Sequence, residues 1–141
     1  MNLAIGLDRM PHKGPMRLID RIVAADETTI QCIAKDHQGA DYPLRLSGAL
    51  MTVSLVELGA QAAAAHVSLV AIDGHHTGLL LSLAAVEVLG ETVHEDPERL
   101  QVEATRLAFG EQGAKYRFIV SAAERSILQG EAMMRMEEAP Q

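Results

Sequence analysis

Residues 49–72, ALMTVSLVELGAQAAAAHVSLVAI, are almost wholly apolar and long enough to cross a bilayer. The run also contains Glu57, Gln61 and His66. An acidic residue in mid-span costs about 2.5–3.5 kcal/mol on insertion scales, and neither flank is strongly basic. The segment therefore reads as a helix of about residues 49–71 buried inside a water-soluble fold, with Ser47 as its N-cap. A helix apolar on nearly every side cannot stand alone in water. The rest of the chain must cover it.

The chain has 141 residues, enough for one domain, 1–141. Aromatic residues are only 3% and Trp is absent, so aliphatic side chains and seven Met must fill the core. The formal charge of −7 argues against a nucleic-acid partner, which would call for a basic face. The single cysteine, Cys32, excludes a disulfide framework and a Cys-rich zinc site. The N-terminus MNLAIGLDRM lacks a basic segment followed by an apolar one, so the expectation is a cytoplasmic protein without a membrane anchor. Charge is uneven along the chain. Residues 71–141 hold six basic and twelve acidic side chains, whereas Arg9, Lys13, Arg17 and Arg21 crowd together with His12. That cluster is either a solvated surface or a docking patch for an anionic partner.

The segments flanking the helix read as strands. MRLIDRIVAA (16–25) and TTIQCIAK (28–35) form a hairpin across Asp26-Glu27, and DHQGADYPLRLSG (36–48) is a loop. After a connector at 72–78, strands follow at about 78–90, 98–109, 115–123 and 126–137. The order is β-β-α-β-β-β-β. A long antiparallel sheet of about six strands can cover one apolar helix only by curling around it, which is an α+β hotdog architecture. Such a unit leaves sheet edge and helix surface uncovered, so at least a homodimer is expected.

On a helical wheel with Glu57 at zero, Gln61 falls at about 40°, Ser68 at about 20° and Ser54 at about 60°. These four make one polar stripe, and His66 lies on the opposite face, at about 180°. Glu57 reads either as a carboxylate at a wet edge or paired with Arg, or as a buried carboxyl kept partly neutral and able to act as a general acid. Gln61 reads first as a core amide bonding neighbouring backbone. His12, in the breaker segment RMPHKGP, and His37, in the loop before the helix, are the candidate bases; either could face a helix carboxyl from a second chain. His75 and His76 are a weak metal signal, and no metal site is expected. Gly48 is placed to let a carbonyl approach the helix N-terminus, or is simply part of a turn.

Three stretches carry a resemblance. PHKGPMRLIDRIVA (11–24) resembles the opening segment of hotdog-fold 3-hydroxyacyl-acyl-carrier-protein dehydratases. ELGAQAAAAH (57–66) resembles the E-x-x-A-Q stretch of their central helix, and GALMTVSLVE (48–57) keeps the family's spacing from loop Gly to helix Glu. The match is closest to the subgroup associated with aryl-polyene pigment clusters. The main branch carries a catalytic His in a GHFP loop. Here that position falls at Gly39, with His37 two residues away, and Met51 and Val53 stand where the subgroup usually has Pro and Trp.

The resemblance implies loss of water from a 3-hydroxyacyl thioester to give a trans-2-enoyl thioester, in fatty acid or polyene synthesis. The thioester would be carried on acyl carrier protein or CoA. The implied catalytic residues are Glu57 as acid and His12 or His37 as base, with Gly48 and Gln61 binding substrate. No cofactor is implied. Two further readings remain: a non-catalytic acyl-binding subunit paired with an active hotdog homologue, and a hotdog acyl thioesterase.

Overall fold

The computed structural model describes residues 2–10, 12–70, 76–90, 98–111 and 113–138, and the side chains of all of these except 76, 77 and 138. Among the described residues there are six strands and two α-helices. They are α1 (Leu3–Asp8), β1 (Ile19–Ala25), β2 (Thr29–Ala34), α2 (Val56–Val70), β3 (His76–Val88), β4 (Leu100–Phe109), β5 (Gly113–Ala122) and β6 (Arg125–Glu138). All pairings are antiparallel, in the order β1-β2-β4-β5-β6-β3. This is the expected hotdog arrangement of a sheet around one central helix.

The two-residue period of the strands decides which side chains meet the helix. On β5, Ala114, Tyr116, Phe118, Val120 and Ala122 point inward and are buried. On β4, Leu100, Val102 and Ala104 do the same, while Gln101 and Glu103 stay exposed. Every residue of α2 from Leu58 to Ser68 is buried. Small residues make this close wrapping possible. At Gly59 a Cβ would stand 2.3 Å from the Phe118 ring, so only glycine lets that ring lie on the helix. Residues 52–70 are long and apolar enough to cross a membrane, but most of their surface is covered by the protein itself.

Two elements depart from the sequence reading. The helix begins later than residue 49. Ser47 and Gly48 both have positive φ and form a tight turn, closed by hydrogen bonds between Leu46 and Ala49 of 2.8 and 3.0 Å. The chain then enters a 3-10 turn at Thr52–Leu55, with Met51 at its N-cap, before α2 proper. Ser47 therefore caps nothing. In addition, α1 was not anticipated. Its N-cap is the Asn2 side chain, which accepts from the Ala4 N–H, and Gly6 lets it pack against Ile22 and Leu69.

Strand β3 differs from the others. It closes one end of the sheet and, among the described residues, pairs with β6 alone. Residues 80–89 are exposed, including Leu81 at 61% and Val88 at 50%. A long edge strand carrying Leu80, Leu81, Leu83, Val86 and Val88 in water is an apolar surface with an unpaired backbone margin.

Candidate active site

The first turn of α2 presents Glu57. The segment entering β1 is fastened beside it by Gln61, one helical turn further on. The Gln61 Oε1 accepts from the Leu18 N–H at 2.7 Å, and its Nε2 donates to the Met16 carbonyl at 2.8 Å and to Glu57 Oε1 at 3.1 Å. This staple brings His12, which lies four residues before Met16, over the helix. Its Nε2 stands 3.0 Å from Glu57 Oε1. The two side chains are about equally accessible, at 31% and 29%.

Burial of the Glu57 carboxyl works to raise its pKa, but the hydrogen bonds from His12 and Gln61 and the charge of His12 outweigh it. The net effect holds the carboxyl below its ordinary value. Glu57 is therefore a carboxylate at neutral pH, which corrects the expectation of a partly neutral carboxyl acting as a standing acid. An ionised carboxylate can only accept, so the Nε2 of His12 carries the proton between them. The Nδ1 of His12 is buried and has no hydrogen-bond partner among the described residues.

His12 and Glu57 stand at one end of a cavity of about 430 Å³, lined further by Ala60, Ala64, Gly78, Leu79, Leu80 and Met134. Apart from the polar pair its walls are apolar. Leu79 comes from the strand expected at about 78–90. Gly78, Leu80 and Met134 had no distinguishing mark in the sequence, because they come together only through the pairing of β3 with β6.

The other expected site residues lie elsewhere or serve differently. The carboxyl meets an imidazole of its own chain, that of His12. His37 is buried, edge-on to Tyr42 with ring centroids 6.4 Å apart, and its carbonyl accepts from Arg45 Nη2 at 2.8 Å. Gln61 is wholly buried and its amide is engaged by protein groups, so the substrate-binding assignment gives way to a positioning one. Gly48 is not at the helix N-terminus, which begins four residues later, and its carbonyl accepts from Arg45 Nη1 at 3.0 Å. The ground for a carbonyl-binding role there is removed. Ser54 and Ser68 share the face of Glu57, but their hydroxyls donate to Met51 and Ala64 carbonyls of their own helical segment. His75 and the side chain of His76 fall outside the described residues.

Comparison with known families matches residues 7–138 to the ApeP-like family, described as ApeP dehydratase. The chain belongs to the ApeP-like dehydratase family. The match takes in His12, the Gln61 staple, Glu57 and every residue lining the cavity. No curated protein matches the sequence. Among solved structures, the dehydratase heterocomplex ApeI:P from Xenorhabdus doucetiae superposes with a TM-score of 0.73 at 19% identity, covering 96% of this chain and 91% of that one. A thioesterase from Haemophilus influenzae gives 0.65 at 16% identity, covering 84% and 78%. A Streptococcus mutans protein solved with acetyl CoA gives 0.61 at 12%, covering 85% and 90%. At these identities the structural likeness is one of fold.

Proposed function

We propose that this ApeP-like protein removes water from a 3-hydroxyacyl thioester, with His12 and Glu57 as the proton-handling pair. The observation that carries the reading is the 3.0 Å contact of His12 with an ionised Glu57 at the mouth of an apolar cavity. In its neutral form His12 directs Nε2–H at Glu57; its Nδ1 is buried, so substrate meets the pair at the edge where Nε2 and the carboxylate touch. The pair takes the C2 proton at that edge, and the electron pair of the broken C–H bond becomes the C2–C3 double bond. The C3–O bond breaks, and the hydroxyl takes one proton from the His12–Glu57 pair and departs as water. One proton enters the pair and one leaves, so the residues end as they began. Glu57 fixes the imidazole's orientation and stabilises its cation. Gln61 holds Glu57 in place.

The substrate is an acyl group on a carrier protein or on CoA. The cavity supports this, being apolar beyond its polar mouth, and a structural relative is solved with acetyl CoA. A second hotdog chain, a copy of this one or a homologue, docks along β3. Leu79 and Leu80 line the cavity on the strand whose outer margin is unpaired, and a relative is solved as a heterocomplex. Burying five or six exposed aliphatic side chains there gives the association its driving force.

A thioesterase reading is favoured by one observation: an ionised carboxylate beside an imidazole can equally activate water against the thioester carbonyl. Incubating the purified protein with 3-hydroxyacyl-carrier and 3-hydroxyacyl-CoA thioesters separates the two by mass. Dehydration gives a product lighter by one water, still attached to its carrier. Hydrolysis gives the free acid and thiol.

A further inference from the structure

His12 reaches Glu57 on a segment built unlike the rest of the fold. Residues 12–17, HKGPMR, run between the buried side chains of Met10 and Leu18. Among the described residues, no backbone–backbone hydrogen bond ties them to another part of the chain; the bond from the Arg17 N–H to the Gly14 carbonyl, at 3.1 Å, only closes their own 3-10 turn, Gly14–Met16. Pairing resumes at Leu18, whose carbonyl accepts from the Lys35 N–H at 2.8 Å. Side chains hold the segment down. Gln61 grips the Met16 carbonyl and the Leu18 N–H, Lys35 Nζ donates to the Gly14 carbonyl at 3.4 Å, Lys13 Nζ donates to the Asp8 carbonyl, and His12 meets Glu57. Lys13, Gly14, Pro15 and Met16 are exposed. Gly14 has a φ of +59°, with nothing within 4 Å of where a Cβ would stand.

This seating carries a cost. His12 Nδ1 and Arg17 Nε are both buried without a hydrogen-bond partner among the described residues. A buried polar atom that makes no bond has given up water for nothing, so each one weakens the closed position. Few backbone bonds to the core, exposed residues and unmet polar atoms mark a unit that opens at lower free energy than the core does. We infer that residues 12–17 are a strap that opens on its own while the sheet and α2 stay folded, with Gln61 as its latch. Open, the strap lifts His12 from the cavity it lines and lets the thioester in; closed, it returns His12 Nε2 to Glu57 beside the bound substrate. The inference rests on the proton-handling reading above and adds the motion that assembles the pair.

Hydrogen exchange of the full-length wild-type protein, read amide by amide, tests the motion. The Leu18 N–H is expected to exchange about a hundredfold faster than the Phe118 and Val120 amides of β5, at a rate that low urea leaves unchanged. Exchange of Leu18 at the core rate, rising with urea as the core does, overturns the inference. Entry is tested with hexyl-CoA thioether, which cannot react, by surface plasmon resonance. Gly14→Ala adds a methyl group in open space, so it acts through the backbone alone: it strains the left-handed φ of the closed strap and is relieved when the strap opens. Its association rate is expected to rise about five- to thirtyfold. Gly14→Asn, which tolerates the left-handed region better, should fall between wild type and Gly14→Ala, and carries the test if the alanine variant does not fold. An association rate that neither variant changes overturns entry through the strap. Failure of the thioether to bind would defeat the thioester reading and leave the strap to the exchange result. Dehydration by a protein whose Leu18 amide exchanges only with the core would do the reverse.

Discussion

Two histidines, His12 beside α2 and His66 within it, have surroundings that differ in every respect that matters for chemistry. His12 meets Glu57 at an accessible cavity mouth, with one ring nitrogen bonded and the other buried but unengaged. His66, on the opposite face, is wholly buried and has both nitrogens occupied. Its Nε2–H donates to the Asp26 carbonyl at 2.8 Å, and its Nδ1 accepts from the Tyr116 hydroxyl. That arrangement ties the β1–β2 hairpin and β5 to the helix. A saturated, buried imidazole contributes to stability, whereas one that meets a carboxylate at an accessible edge can move protons. Burial also pushes the His66 pKa down, with the nearby Arg106 charge adding to it and the Asp26 bond opposing.

The largest expected effect is on the catalytic side. Glu57→Gln and His12→Ala should each lower dehydration by about 10²–10⁴-fold while leaving the thermal melting curve nearly unchanged. Turnover by mass and melting by circular dichroism, on the same preparations, check this. On the structural side the pattern inverts. His66→Ala leaves a cavity and two unpartnered buried groups, and should cost about 2–4 kcal/mol in denaturant unfolding. Activity per folded molecule should persist. If His66→Ala instead abolishes turnover at full stability, the division between the two histidines is wrong.

A smaller effect concerns pH. The folded state holds His66 with a depressed pKa, so the unfolded chain binds the extra proton first. Its contribution is complete above the unfolded value of about 6.5 and declines as pH falls below it. Unfolding midpoints from pH 8 to 5 should therefore drop more steeply for wild type than for His66→Leu. The smallest effect is expected at the serines of the same helical face. Ser54→Ala and Ser68→Ala should change stability by less than about 1 kcal/mol and kcat/KM hardly at all, since both hydroxyls only bond back to their own segment.

Much of this architecture was legible from periodicity. The alternation of Leu100, Val102 and Ala104 against Gln101 and Glu103 marked β4, and the apolar run marked the central helix. The helical wheel correctly put Gln61 near Glu57 and His66 away from both. The helix start was misread because Ala49, Leu50 and Met51 are apolar, and nothing local reveals that Ser47 and Gly48 turn the chain with positive φ. Helix α1 was hidden by its brevity and by Gly6, which serves packing rather than propensity. The ionisation of Glu57 was misjudged for a different reason. An apolar neighbourhood in sequence says nothing of the donors that tertiary structure brings, and here Gln61 and His12 supply them.

The central claim is that the His12–Glu57 pair is complete within one chain. Co-refolding His12→Ala with Glu57→Gln in equal amounts tests it directly, with two differently tagged wild-type samples as the control for mixing. The account predicts that the mixture stays as inactive as either variant, because every chain carries a broken pair. Recovery to about a quarter of wild-type dehydration would contradict it, since that is the share of intact sites expected if each pair were drawn from two chains of a dimer.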